Sequence, residues 1–116
     1  MNAIESYLAK ATPIQREMYS ILEKEIRNFS SFPIIGNDTC ISCKGRGKKN
    51  ICALAFENQS NITIFTNLLP SDFVDPKNLV KKHNAYGRFS RFVFKQKSEL
   101  KDILDLIKQS YEKNKY

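Results

Sequence analysis

The chain has 116 residues, 41% of them hydrophobic, with 19 Lys and Arg against 12 Asp and Glu, for a net charge of +7. That length predicts one domain able to bury a core without disulfides or metals, and the supply of Ile, Leu and Phe excludes a disordered chain. No apolar run approaches the ~20 residues that cross a bilayer. The start MNAIESYLAK lacks the regions of a secretory signal, and three cysteines fit a reducing compartment. The expectation is therefore a soluble cytoplasmic protein with no membrane contact.

Residues 1–11 read as a short helical arm, with Ile4, Tyr7, Leu8 and Ala11 at helical spacing. A single α+β domain is expected over 12–116. Thr12, Pro13 and Gln15 form a capping box with proline at the first helical position, opening a helix that runs to about Asn28. Its apolar stripe is Ile14, Met18, Ile21, Leu22, Ile26 and Phe29. Residues 34–43 and 50–56 read as two strands around the turn KGRGKK, and 61–67 as a third, with Ile62 and Ile64 alternating against Thr63 and Phe65. Asp75-Pro76 is a cap and a helix-initiating proline, predicting a short helix over 77–84 that Tyr86-Gly87 breaks. The fourth strand is 89–95, with Phe92 and Phe94 on one face and Arg91, Val93 and Lys95 on the other. Ser98 caps a last helix striped by Leu100, Ile103, Leu104, Ile107 and Tyr111, and the tail EKNKY frays. The order α-α-β-β-β-α-β-α predicts a two-layer α+β sandwich: a mainly antiparallel four-stranded sheet, helices on one face, the other face partly open.

The charge is polarised along the chain. Lys44, Arg46, Lys48 and Lys49 lie between Asp38 and Glu57 with no acid among them. Lys77, Lys81, Lys82, Arg88, Arg91, Lys95 and Lys97 likewise lie between Asp75 and Glu99. One cationic surface facing an anionic partner follows; a merely solubilising surface is the plainer explanation. The glycine-rich turn can approach a phosphate backbone, and the expected helix would set Lys77, Lys81 and Lys82 on one face. Arg88 and Arg91 flank Phe89, and Arg91 and Lys95 share the open face with Phe65. Cations beside an exposed aromatic make a platform for single-stranded DNA or RNA. The opposing expectation is that the N-terminal arm or a second copy covers Phe65 and Val93.

Cys40-Ile-Ser-Cys43-Lys-Gly45-Arg-Gly47 spells CxxCxGxG, which resembles the zinc-binding repeat of the DnaJ-type chaperone cysteine-rich domain. A structural site needs four ligands, and only Cys52 and His83 can join Cys40 and Cys43. Extended backbone sets residues three apart on opposite faces, ~10 Å apart along the strand, so no metal and no cofactor are expected. No nucleophile, acid–base pair or phosphate-binding loop stands out around the lone His83. The expected role is therefore non-catalytic: a nucleic-acid-binding accessory domain. The alternative is an interaction module meeting an acidic protein, or a homodimer formed through Ile4, Tyr7 and Leu8.

From Ile14 onward the chain resembles a small bacterial domain family labelled "predicted transport protein". The likeness rests on MYSILEKEI, the strand with CISCK, NITIFTNL and the segment DPKNLVKKHNAYGRFSRFVFKQKSELKDILDLIKQSYE. That segment has the family's DP-helix, Gly-containing turn, strand and final helix, ending here in Leu106-Ile107 and Tyr111. Relatives are often joined to restriction-nuclease-like domains, which implies an accessory role in nucleic-acid transactions and no catalytic residues. The CxxCxGxG stretch departs from the family pattern.

Overall fold

Hydrophobic periodicity sorts most of the chain into its elements. The computed structural model describes residues 2–85 and 87–114, with Lys48 described in its backbone alone. Helix α1 spans Ala3–Leu8 and α2 Pro13–Phe29. Strands follow as β1 (Ile34–Gly36), β2 (Ile41–Lys44), β3 (Asn50–Ala55), β4 (Ile62–Thr66), β5 (Lys81–Ala85) and β6 (Arg88–Phe94), and α3 (Leu100–Asn114) closes the described chain. The architecture is α+β. Every strand pair is antiparallel, in the order β1-β2-β3-β4-β6-β5. Among the described residues no helix is long and apolar enough to cross a membrane.

The sheet has six strands where four are expected, and two local motifs account for the difference. Residues 34–43 are not one strand but a hairpin. Asn37 Oδ1 accepts the backbone N–H groups of Thr39 and Cys40 and turns the chain between β1 and β2. Residues 77–84 are not a helix. The carboxylate of Asp75 accepts from the N–H groups of Leu79 and Val80, well beyond the reach of a helix cap, and Asn78 takes a φ of 53°. The chain then leaves as the edge strand β5. Lysines on an edge strand discourage further pairing, so KKHNA carries neither a helical nor a strand-like apolar period.

One sheet face packs under the helices. Ile41, Cys43, Cys52, Leu54, Ile62, Ile64, Phe92 and Phe94 meet Tyr7 of α1, Met18, Tyr19, Leu22 and Ile26 of α2, and Ile103, Leu106 and Ile107 of α3 in one core. The capping box of Thr12 and Gln15 forms as expected. The buried α2 stripe differs at its start: Ile14 is 60% exposed, and Gln15 turns inward to donate to the carbonyls of Asn58 and Asn61. Ser98 lies within a 3-10 turn, Lys97–Glu99, that leads into α3, and the Glu99 carboxylate folds back to accept from the N–H groups of Lys95 and Gln96. The expected frayed tail is helical through Asn114, whose amide donates to the Ser110 carbonyl; Lys115 and Tyr116 lie outside the described residues, as does Tyr86 at the expected helix break.

The N-terminal arm packs on the core. Tyr7 is buried, its hydroxyl accepts from Phe56 N–H at 2.9 Å, and its ring stacks on Phe56 at 5.0 Å. Ile4 and Leu8 pack on the same core, so the side chains expected to join two copies are used within one. Tyr7→Phe keeps the stacked ring but leaves the Phe56 N–H without its acceptor. We expect a loss of about 1–2 kcal/mol in denaturant unfolding.

Candidate functional site

Cross-strand partners share a sheet face, so the register places the expected site residues without ambiguity. One row crosses the whole sheet: Ile35, Ser42, Ala53, Phe65, Arg91 and Lys81, each directly opposite the next. This is the face turned away from the helical core. Alternation adds Lys44 beyond Ser42, and Val93 and Lys95 beyond Arg91.

Phe65 lies on that face but is not an open platform. It is 3% exposed. The His83 ring sits 4.7 Å from it and the Arg88 guanidinium 4.9 Å above its centre. Arg88 also donates to the Cys40 thiol at 3.3 Å, although β3 and β4 lie between β2 and β6 in the sheet. The far end of the β5–β6 hairpin is therefore folded across this face. The register shift between Lys82 and Ala85 supplies the bend. Neither the arm nor a second copy covers Phe65; the hairpin does. Much of the face expected to be open is closed, since Cys40, Ser42, Ala53, Ala55 and Thr63 are buried along with Phe65. Among the described aromatic residues the exposed one is Phe89, 42% exposed and out of phase with the buried Phe92 and Phe94. That phase difference is readable in RFSRFVF.

The cations fall into three groups. Lys81, Arg91 and Lys95 line one cleft of about 360 Å³ with Asn78, Leu79, Val93 and Glu99. All three are exposed and none forms an ion pair among the described residues. Lys82, next to them on β5, is opposite the buried Ser90 and points off the other side of the edge. The second group is the β2–β3 connection. Lys44 donates to Asn50 at 2.8 Å, Arg46 and Lys49 are exposed, and Gly47 takes the φ of 68° that the turn requires; the Lys48 side chain lies outside the described residues. Three strand spacings, about 14 Å, separate β2 from β6. The third group is Lys77 alone. It is not aligned with Lys81 and Lys82, because no helix forms, and it pairs with Asp102 of α3 at 2.7 Å. That carboxylate raises the Lys77 ammonium above its usual range.

The cysteines and the histidine separate in space. Cys43 and Cys52 are direct cross-strand partners under the helices. A hydrogen bond to Cys43, together with burial, pushes the Cys52 thiol well up and away from the thiolate a metal or a nucleophile needs. Cys40 lies on the opposite face beside Arg88, and His83 lies on Phe65. Among the described residues no three His, Cys, Asp or Glu side chains gather where they could hold an ion. Chain order alone did not identify Glu99 and Asn78 as cleft residues, since each reaches it through a turn. No protein-family model, curated protein or solved structure matches this chain.

Proposed function

We propose that the chain is a non-catalytic accessory module that binds single-stranded nucleic acid through the cationic side of its β5–β6 hairpin. One observation carries the reading. Lys81 and Arg91 stand directly opposite each other on neighbouring strands, with Lys95 on the same face, and among the described residues no acid, Glu99 of the same cleft included, forms an ion pair with any of them. Like charges so placed cost stability, and a bound anion removes that cost. Phe89, exposed two residues before Arg91, supplies a ring for base stacking. The β2–β3 turn with Arg46 and Lys49 adds a second phosphate contact further along the sheet.

The test is binding of a labelled single-stranded oligonucleotide across a salt series. With three phosphate contacts, log affinity should fall against log salt with a slope of about −2. The triple change Lys81→Glu, Arg91→Glu, Lys95→Glu should lower affinity about 100-fold or more. The same charge change placed at the exposed Lys10, Lys24 and Lys108 should cost far less. Equal losses in the two triples, or no binding by the native chain, overturn the reading.

A second reading rests on the opposite edge. Strand β1 ends the sheet and Ile35 is exposed there, so self-association would add strand to strand. A dimer in sedimentation that Ile35→Lys dissociates would favour it.

A further inference from the structure

Within the nucleic-acid reading, on which this rests, we propose that the β5–β6 cleft receives the phosphorylated end of a strand rather than its interior. The cleft is ordered along β6. Arg91, with Lys81 opposite, comes first; Val93 follows; Lys95 comes last. At that last position the Glu99 carboxylate is held in place by the N–H groups of Lys95 and Gln96, at 2.8 and 3.1 Å, and it lines the cleft. A strand running on past Lys95 would bring its next phosphate against a fixed negative charge. Approach from the other end meets no such barrier, because the exposed Phe89 precedes Arg91 there. A strand can enter over Phe89, stack its last base, and stop with its terminal phosphate between Lys81 and Arg91.

The charges match an end better than an interior. A phosphodiester carries one negative charge, whereas a terminal phosphomonoester carries about −1.5 to −2 near neutral pH and offers three acceptor oxygens. Two cations facing each other with a third nearby are more than one diester neutralises. A guanidinium can also take two of those oxygens at once. The volume of about 360 Å³ is at the small end of ligand clefts, enough for a phosphate and its sugar. Asn78 lines the same cleft, and an amide there can meet a sugar hydroxyl.

The experiment uses the full chain and one oligonucleotide sequence prepared with a 5′-phosphate, a 3′-phosphate or hydroxyls at both ends. The matching nucleoside monophosphates and inorganic phosphate serve as competitors. One phosphorylated end should bind at least tenfold tighter than the hydroxyl-ended strand. That preference should shrink as the pH falls below about 6, where the monoester becomes a monoanion. Glu99→Gln keeps an oxygen for the two backbone N–H groups and should reduce the preference by strengthening binding of the hydroxyl-ended strand, leaving the part that comes from the charge of the monoester. Equal affinity for all three strands overturns the end-recognition proposal and leaves the nucleic-acid reading standing. An unchanged preference in Glu99→Gln overturns the stop assigned to that carboxylate. Binding of monophosphates with no binding of any strand overturns the nucleic-acid reading and keeps the phosphate site. Inorganic phosphate competing as well as a nucleotide reduces the site to one for free phosphate, and binding of none of these probes overturns both proposals.

Discussion

Phe65→Ala should destabilise the protein by about 3–5 kcal/mol, the usual cost of removing a buried aromatic ring. Domains of this size are held by about 5–15 kcal/mol in all, so the variant should sit near its folding limit. The ring is the floor on which the hairpin end rests. His83 packs on it at 4.7 Å and the Arg88 guanidinium at 4.9 Å, while Ala53 stands beside it on β3. Truncation removes its burial and the cation–π contact, leaving Arg88 with only the Cys40 thiol among its described partners. Phe65→Leu keeps most of the volume and should cost less. It should still raise amide exchange in β5 and the first residues of β6 while leaving α2 and α3 protected. The measurements are denaturant unfolding and hydrogen exchange. A base-stacking Phe65 would behave oppositely, losing oligonucleotide affinity with little change in stability, and that result would overturn the covered arrangement.

Gly36→Ala should cost about 2–3 kcal/mol, a large effect for a single methyl group on a strand near the surface. A Cβ at Gly36 would lie 2.7 Å from Ile4 N, 2.8 Å from Ile4 Cα and 2.9 Å from the Ala3 carbonyl carbon. All three are backbone atoms, so no rotamer change relieves the collision, and α1 must move as a unit. Six residues make too short a helix to persist alone; α1 exists because Ile4, Tyr7 and Leu8 dock on the core. Displacing it should expose Tyr7 and free the Phe56 N–H to exchange. Because Tyr7→Phe acts on the same docking, the double variant should cost less than the two single losses combined. Full additivity in unfolding would show that Gly36 and α1 are not coupled as their contact requires. Removing residues 1–11 should likewise destabilise the fold, since these residues are not a free dimerisation arm.

Long, strongly periodic segments were legible from the residues. The capping box at Thr12 and Gln15, the stripe of α2, the alternation in β4 and the phases of Phe92 and Phe94 each state one face and one period. The errors fall where a local signal serves two structures. Asp75-Pro76 begins a helix or closes a side-chain-bonded turn, and the outcome depends on whether a buried stripe follows. Here the stripe is absent, and β5 pairs with β6 at the rim. Ile34 to Cys43 reads as one apolar run because the side chain of Asn37 makes the turn inside it. Arg91, Lys95 and Phe65 were correctly placed on one face, as two-residue alternation allows. Arg91 and Lys95 are exposed as expected, but Phe65 is not, because a hairpin end that returns from distant sequence covers it.

Charge polarity, helix stripes and strand phases were determined by the sequence alone, because each depends on residues within a turn or two of one another. Tertiary structure decided which cations remain available. Lys77 is neutralised by Asp102 and Arg88 is used against Phe65 and Cys40, whereas Lys81, Arg91 and Lys95 converge on one cleft. Electrostatic fields act through space at a few ångströms, and chain separation says little about that distance. The +7 of the composition is therefore a total, and it does not say which charges folding pairs internally and which it gathers, exposed, around one cleft.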